Sequence, residues 1–235
     1  MIVAQHSSYP TTSITLVPVS QIRRSIASCK MDSEIPPNAM RRKIDPNWRG
    51  GFSLGVDLGM SRTGLAISKG YSIRPLTVLE LRGQKLELRL LDIAEKQEVD
   101  EFIVGLPRSS DGLETPQSNK VRSVAGRLAV QAAERVYLLE KIPILCHFFF
   151  TPISDPDDRG WRVYLQDEYG SSTMAMDYMI DKGLGKSARQ GKVDAYAAVV
   201  LLERYFSLTG EGVELVLPKL LTLQNKLREG PMDLF

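Results

Sequence analysis

The feature that most constrains this chain is a change of hydrophobic period after residue 79. Before it stand three short apolar or alternating runs, at residues 52–57, 64–69 and 73–79, the first ending in an acid, Asp57. Gly55, Gly59 and Gly64 punctuate the first two runs, and the short connections predict an antiparallel meander. After the change, Leu86, Leu90, Ile93, Ala94 and Gln97 fall on one helical face. A buried strand at 101–105 follows, closed by Gly105 and Pro107. Thr115-Pro116 then gives an N-cap and a proline at the first helical position. A strand at 161–166 and helices at 172–182 and 193–206 complete the pattern, with Gly183 as a C′ residue. The order β-β-β-α-β-α-β-α-α predicts an α/β fold with a mixed sheet flanked by helices.

The flanks read differently. Residues 1–30 hold no Asp or Glu, are rich in Ser and Thr, and carry Arg23-Arg24. That is the profile of an organelle transit peptide, with an ordinary tail as the bland alternative. The expected destination is the chloroplast, with mitochondrion or cytoplasm as alternatives. Residues 31–51, with Pro36, Pro37 and Pro46 among charges, read as linker. The domain is therefore expected at 52–207, with a mixed tail at 208–235 and a helix near 217–227 within it. One segment, 136–159, does not fit. Removing it joins a helix end to Gly160-Trp161 as a normal exit into a strand, so it is expected to be an insertion.

Composition limits the chemistry. No apolar run approaches the roughly 20 residues of a membrane span. Cys29 and Cys146 have neither zinc-ligand nor CxxC spacing, and His6 and His147 cannot build a histidine-rich site. A metal, if bound, must be held by carboxylates. Asp57 ends the first strand, Asp167-Glu168 ends the strand at 161–166, and Asp194 opens the helix at 193–206. Acids at strand ends and a helix start can meet at one sheet edge. There they repel unless neutralised by a hard cation such as Mg²⁺ or Mn²⁺. The helix dipole is expected to favour Asp194. Taken singly, Asp57 reads first as a turn former, Asp194 as an N-terminal helix acid and Asp167-Glu168 as a solvated pair, and spacing alone leaves convergence open.

The net charge is only +2, so any nucleic-acid footprint depends on where the charge sits. Lys182, Lys186, Arg189 and Lys192 cluster in a glycine-containing stretch just before Asp194, read as a flexible loop suited to phosphate contacts. Arg62 and Arg108 are further candidates for nucleic-acid binding.

Four motifs in order carry a resemblance. They are Gly55-Val56-Asp57-Leu58-Gly59 with Arg62 and Gly64-Leu65-Ala66; Val104-Gly105-Leu106-Pro107 with Asp111-Gly112; Asp167-Glu168 with Ser172; and Gly191-Lys192-Val193-Asp194 with Ala197-Ala198. Together they resemble the YqgF/RuvX family, in its plant organellar type given the N-terminal segment. The first motif alone also occurs in sugar-kinase-like ATPases, whose second domain and phosphate-loop repeat this chain lacks.

The resemblance implies a ribonuclease-H-like, five-stranded mixed sheet. It implies Asp57, Glu168 and Asp194 as catalytic, metal-binding acids, with Asp167 beside them in support. It implies an Mg²⁺-dependent nuclease that processes the 5′ end of the small-subunit ribosomal RNA precursor, acting as monomer or homodimer on structured RNA. The alternatives are a Holliday-junction resolvase acting on branched DNA, and a non-catalytic RNA-binding ribosome-assembly factor. The chain departs from the family pattern at Tyr169, where arginine usually follows the Asp-Glu pair.

Overall fold

The computed structural model describes residues 36–48, 50–140 and 161–220. The proposed transit segment, most of the proposed insertion and the end of the tail lie outside these residues. The elements in chain order are α1 (Asn38–Ile44), β1 (Phe52–Leu58), β2 (Thr63–Lys69), β3 (Ser72–Leu79), α2 (Gln84–Gln97), β4 (Glu101–Leu106), α3 (Pro116–Glu140), β5 (Arg162–Asp167), α4 (Ser171–Asp181), α5 (Lys186–Ser207) and β6 (Glu214–Leu215).

The sheet order is β3-β2-β1-β4-β5-β6. The first three strands form the expected meander, and β1, β4 and β5 run parallel. Because side chains alternate along a strand, each face has its own core. Leu54, Val56, Phe102, Val104, Val163 and Leu165 pack against α2 and α3. Ala66, Ile103 and Tyr164 pack against α5 through Ala198, Leu201, Leu202 and Tyr205. Helix α3 begins as the Thr115-Pro116 signal predicts. Ser118 N–H donates to Thr115 Oγ1 at 3.3 Å and Thr115 N–H to Ser118 Oγ at 2.8 Å, a reciprocal cap.

Four expectations are corrected. The sheet has a sixth strand, since Glu214 and Leu215 of the tail pair antiparallel with Leu165 and Tyr164. Residues 217–220 of the tail are not helical, and the rest of the expected 217–227 helix lies outside the described residues. Helix α3 continues to Glu140 rather than ending near 133–135.

The fourth correction concerns the linker, where residues 38–44 form α1. Asn38 and Ala39 of α1 are buried at the N-terminal ends of β1, β4 and β5. A polar network holds them there. Glu101, fully buried, accepts from Asn38 N–H (3.1 Å), Ser53 Oγ (2.7 Å) and Tyr205 Oη (2.7 Å). Arg162 donates to Asn38 Oδ1 at 3.2 Å and lies 3.9 Å from Glu101. Buried polar groups are tolerated when paired in this way.

Helix α5 crosses β2 at Gly64 in direct backbone contact. A Cβ placed on Gly64 would overlap the Asp194 carbonyl. Gly64→Ala is therefore expected to lower the unfolding free energy by about 1–3 kcal/mol. Gly126→Ala, in helix α3 with open space at its Cβ position, should instead be neutral or stabilise by about 0.5–1 kcal/mol. Urea unfolding of both variants measures the contrast.

Candidate active site

The sheet register brings the acids to one edge. Asp57 lies at the C-terminal end of β1 and pairs with Gly64 of β2. Asp57 shares its face with Gly55, whose Cβ position meets Leu202 and the Ala198 carbonyl of α5. It therefore points toward α5, and α5 lays Asp194 on Gly64, directly beside it.

Glu168 follows the end of β5, which is separated from β1 by β4. Gly105 of β4 removes that obstacle. A Cβ on Gly105 would overlap Glu168 Oε2 and come within 3.2 Å of Glu168 Cβ. The Glu168 side chain thus lies back across β4 toward Asp57. The Leu106–Asp167 register puts Asp167 on the opposite face from Glu168. Asp167 Oδ1 accepts the Tyr169 N–H at 3.0 Å and so shapes the turn that carries Glu168.

The cost of gathering these acids is electrostatic. Burial, then the charge of Asp194, pushes the Asp57 carboxyl up to about 7. Burial, then Asp57 and Asp167, pushes Glu168 up to about 8, against the opposing pull of Arg204. Asp57 thus feels both other acids. As placed, no three such side chains among the described residues close around a single ion. Glu168 Oε2 and Asp194 Oδ2 are buried without a hydrogen-bond partner. Arg62 Nε stands 2.8 Å from Asp194 Oδ2, an ion pair by distance but not aligned as a hydrogen bond. Orphaned anionic oxygens on hard carboxylate donors are what a divalent cation satisfies, so the donor set fits Mg²⁺ or Mn²⁺.

Two readings of the basic positions change. Helix α5 starts at Lys186, so Lys186, Arg189 and Lys192 are helical and not part of a flexible loop. Asp194 lies more than two turns inside α5, and the helix-end dipole, which fades within one turn, does not act on it. Lys186 and Lys192 are exposed on the turns leading to Asp194, while Arg189 donates to the Leu184 carbonyl at 2.9 Å. Arg62 is engaged by Asp194 and the Gln190 carbonyl (3.4 Å). Arg108 lies farther off, beyond β4, with its Nε unpartnered.

Arg204 of α5 was not foreseen. It donates to the Asp167 carbonyl at 2.9 Å and to the Tyr169 carbonyl at 2.8 Å, gripping the backbone on both sides of Glu168. Contacts made to carbonyls leave no residue-type pattern, so only a positive charge in the otherwise apolar C-terminal half of α5 marked it.

A mixed sheet in the order 3-2-1-4-5, with a crossing helix that brings an acid to two strand-borne acids, defines a ribonuclease-H-like protein. The chain belongs to the RuvX family, whose model, described as "Holliday junction resolvase", matches residues 51–141 and 156–208. The break at 142–155 falls within the segment expected to be an insertion.

A protein of Cronobacter sakazakii named "Putative pre-16S rRNA nuclease" is 29% identical over 163 residues, covering 68% of this chain and 99% of its own. A protein of the same name from Nitratidesulfovibrio vulgaris is 28% identical, covering 66% and 92%. Among solved structures, a Thermus thermophilus RuvC in complex with a Holliday junction substrate aligns at 15% identity. Its TM-score is 0.41, and the alignment covers 71% of this chain and 99% of that one.

The raised carboxyls fix a sign for pH dependence in the cation-free chain. Their folded values, about 7 and about 8, exceed the ordinary 3.8 and 4.5. The folded state therefore binds more protons, and stability falls as pH rises from about 4 through 8. In EDTA, Asp57→Asn should be more stable than the unaltered chain at pH 8, by on the order of 2 kcal/mol. That advantage should shrink as the pH drops toward 4. Urea unfolding of both proteins across this range reads the difference.

Proposed function

We propose that this chain is a divalent-cation-dependent nuclease that processes the small-subunit ribosomal RNA precursor at its 5′ end. The observation that carries the reading is the placement of Asp57 against both Asp194 and Glu168 on one sheet edge, with buried carboxyl oxygens that accept no hydrogen bond. The names of the relatives supply the substrate.

Asp57, Glu168 and Asp194 would hold Mg²⁺ or Mn²⁺, which when bound supplies an activated water and stabilises the departing oxygen in phosphodiester cleavage. The protein's own groups do the rest. Arg62 and the close α5–β2 passage hold Asp194 in place. Arg204 fixes the turn on both sides of Glu168. Lys186 and Lys192 offer exposed positive charge to the phosphate backbone, where contacts position the substrate and carry no sequence information. Without a cation, Glu168 keeps its proton near neutral pH.

Within the described residues no helix is long and apolar enough to cross a membrane. The acid-poor first thirty residues support delivery to an organelle, the chloroplast first.

The test is cleavage of a precursor ribosomal RNA fragment by the purified chain, with a four-way DNA junction as parallel substrate. The expected result is Mg²⁺-dependent cutting of the RNA, reduced by about two orders of magnitude or more in Asp57→Asn. Cutting of the junction alone would favour the resolvase reading. Binding of RNA without cutting either substrate would replace catalysis with ribosome assembly.

A further inference from the structure

Beside Glu168 the surface opens into a cavity of about 420 Å³, which lies past the end of β5. Strand β6 pairs only with Tyr164 and Leu165, so the last residues of β5 have no strand on the side away from β4. Gln166, Asp167 and Tyr169 contribute to the wall from the β5 side, Arg204 from α5, Arg108 from beyond β4, and Glu211 from the connection to β6. The volume falls in the roughly 300–1,000 Å³ range of small-molecule sites.

Three features of the wall point to one kind of ligand. Tyr169 is 53% exposed. Among the described residues its ring stacks on nothing and its hydroxyl makes no hydrogen bond. Gln166 is only 3% exposed, and its Oε1 has no partner. That oxygen is closed off from the cavity, so Gln166 supplies floor and not a hydrogen bond to a ligand. The charges balance, with Arg108 and Arg204 facing Asp167 and Glu211. A bare phosphate gains little from such a wall. A flat, uncharged ring gains from the open face of Tyr169.

We propose that this cavity is a subsite for one unpaired nucleotide next to the cleaved bond. The base stacks on the Tyr169 ring, between the guanidinium groups of Arg108 and Arg204. The inference rests on the nuclease reading and deepens it. Asp167 and Tyr169, the chain neighbours of Glu168, both line the cavity, so a base held there lies one residue away from the acids. A base inside a duplex is paired and stacked on both sides and cannot enter, whereas a splayed single-stranded base can. The substrate at this position is therefore single-stranded. Tyr169, the departure from the family pattern, becomes the recognition element.

The test is fluorescence anisotropy of the full chain with a short labelled single-stranded RNA and with the same sequence as a duplex, in EDTA so that nothing is cut. Tyr169→Ala should weaken single-strand binding by about tenfold or more and leave duplex binding unchanged. Tyr169→Phe, which keeps the ring, should bind as the unaltered chain does.

Unaltered single-strand binding in Tyr169→Ala, equal losses for both RNAs, or no single-strand binding by the parent chain would each overturn the subsite. The nuclease reading fails separately. A chain that binds through Tyr169 yet cuts nothing in Mg²⁺ loses that reading and keeps the subsite. A chain that cuts but binds independently of Tyr169 loses only the subsite.

Discussion

Helix α5 can reach the sheet only because β2 has no side chain at Gly64. The Asp194 carbonyl occupies the space a Cβ would need, and the same contact sets Asp194 beside the strand partner of Asp57. Gly105 plays the matching part on β4, where it lets the Glu168 side chain lie across the strand between its own and that of Asp57. Two missing Cβ atoms thus govern both the packing of α5 on the meander and the approach of three acids. Fold and site share one constraint, because the close passage that buries α5 also gathers the charge.

The two ends of the sheet treat charge in opposite ways. At the N-terminal ends of β1, β4 and β5, Glu101 accepts three hydrogen bonds and Arg162 pairs with Asn38, so burial there is compensated. At the opposite ends, Glu168 Oε2 accepts no hydrogen bond, Asp194 Oδ2 has only its ion pair with Arg62, and Asp57 and Glu168 hold their protons to unusually high pH. A structure that surrounds its buried carboxylate with donors at one end and leaves carboxyl oxygens short of hydrogen bonds at the other departs from local consistency where function is expected. Arg204 spans both tasks. It anchors the turn through carbonyls and offsets part of the repulsion at Glu168.

Much of this was legible in the sequence, for reasons that can be stated. The meander followed from short apolar runs with glycine between them, and the start of α3 from Thr115-Pro116. The three acids were legible as residues, but not their meeting, which depends on register and on Gly105. The start of α5 was missed because Gly191 and the basic cluster read as loop. In the structure Gly191 is helical at a cost of about 1 kcal/mol, set against the buried anchor of Ala195, Ala197 and Ala198. Helix α1 was hidden by linker-like composition, since its hold on the sheet comes from Asn38 and Arg42 rather than an apolar stripe. Strand β6 is two residues long and too short to show a period.

The central claim is that Asp57 joins Asp194 and Glu168 in a site whose repulsion a divalent cation relieves. The most direct measurement is the thermal midpoint of the chain at pH 8 as Mn²⁺ is added, compared with Asp57→Asn. A cation that binds only the folded state raises the midpoint by mass action. Near saturation the parent should gain about 5 °C or more, and the variant much less. An equal gain in both proteins, or none in the parent, would contradict the account.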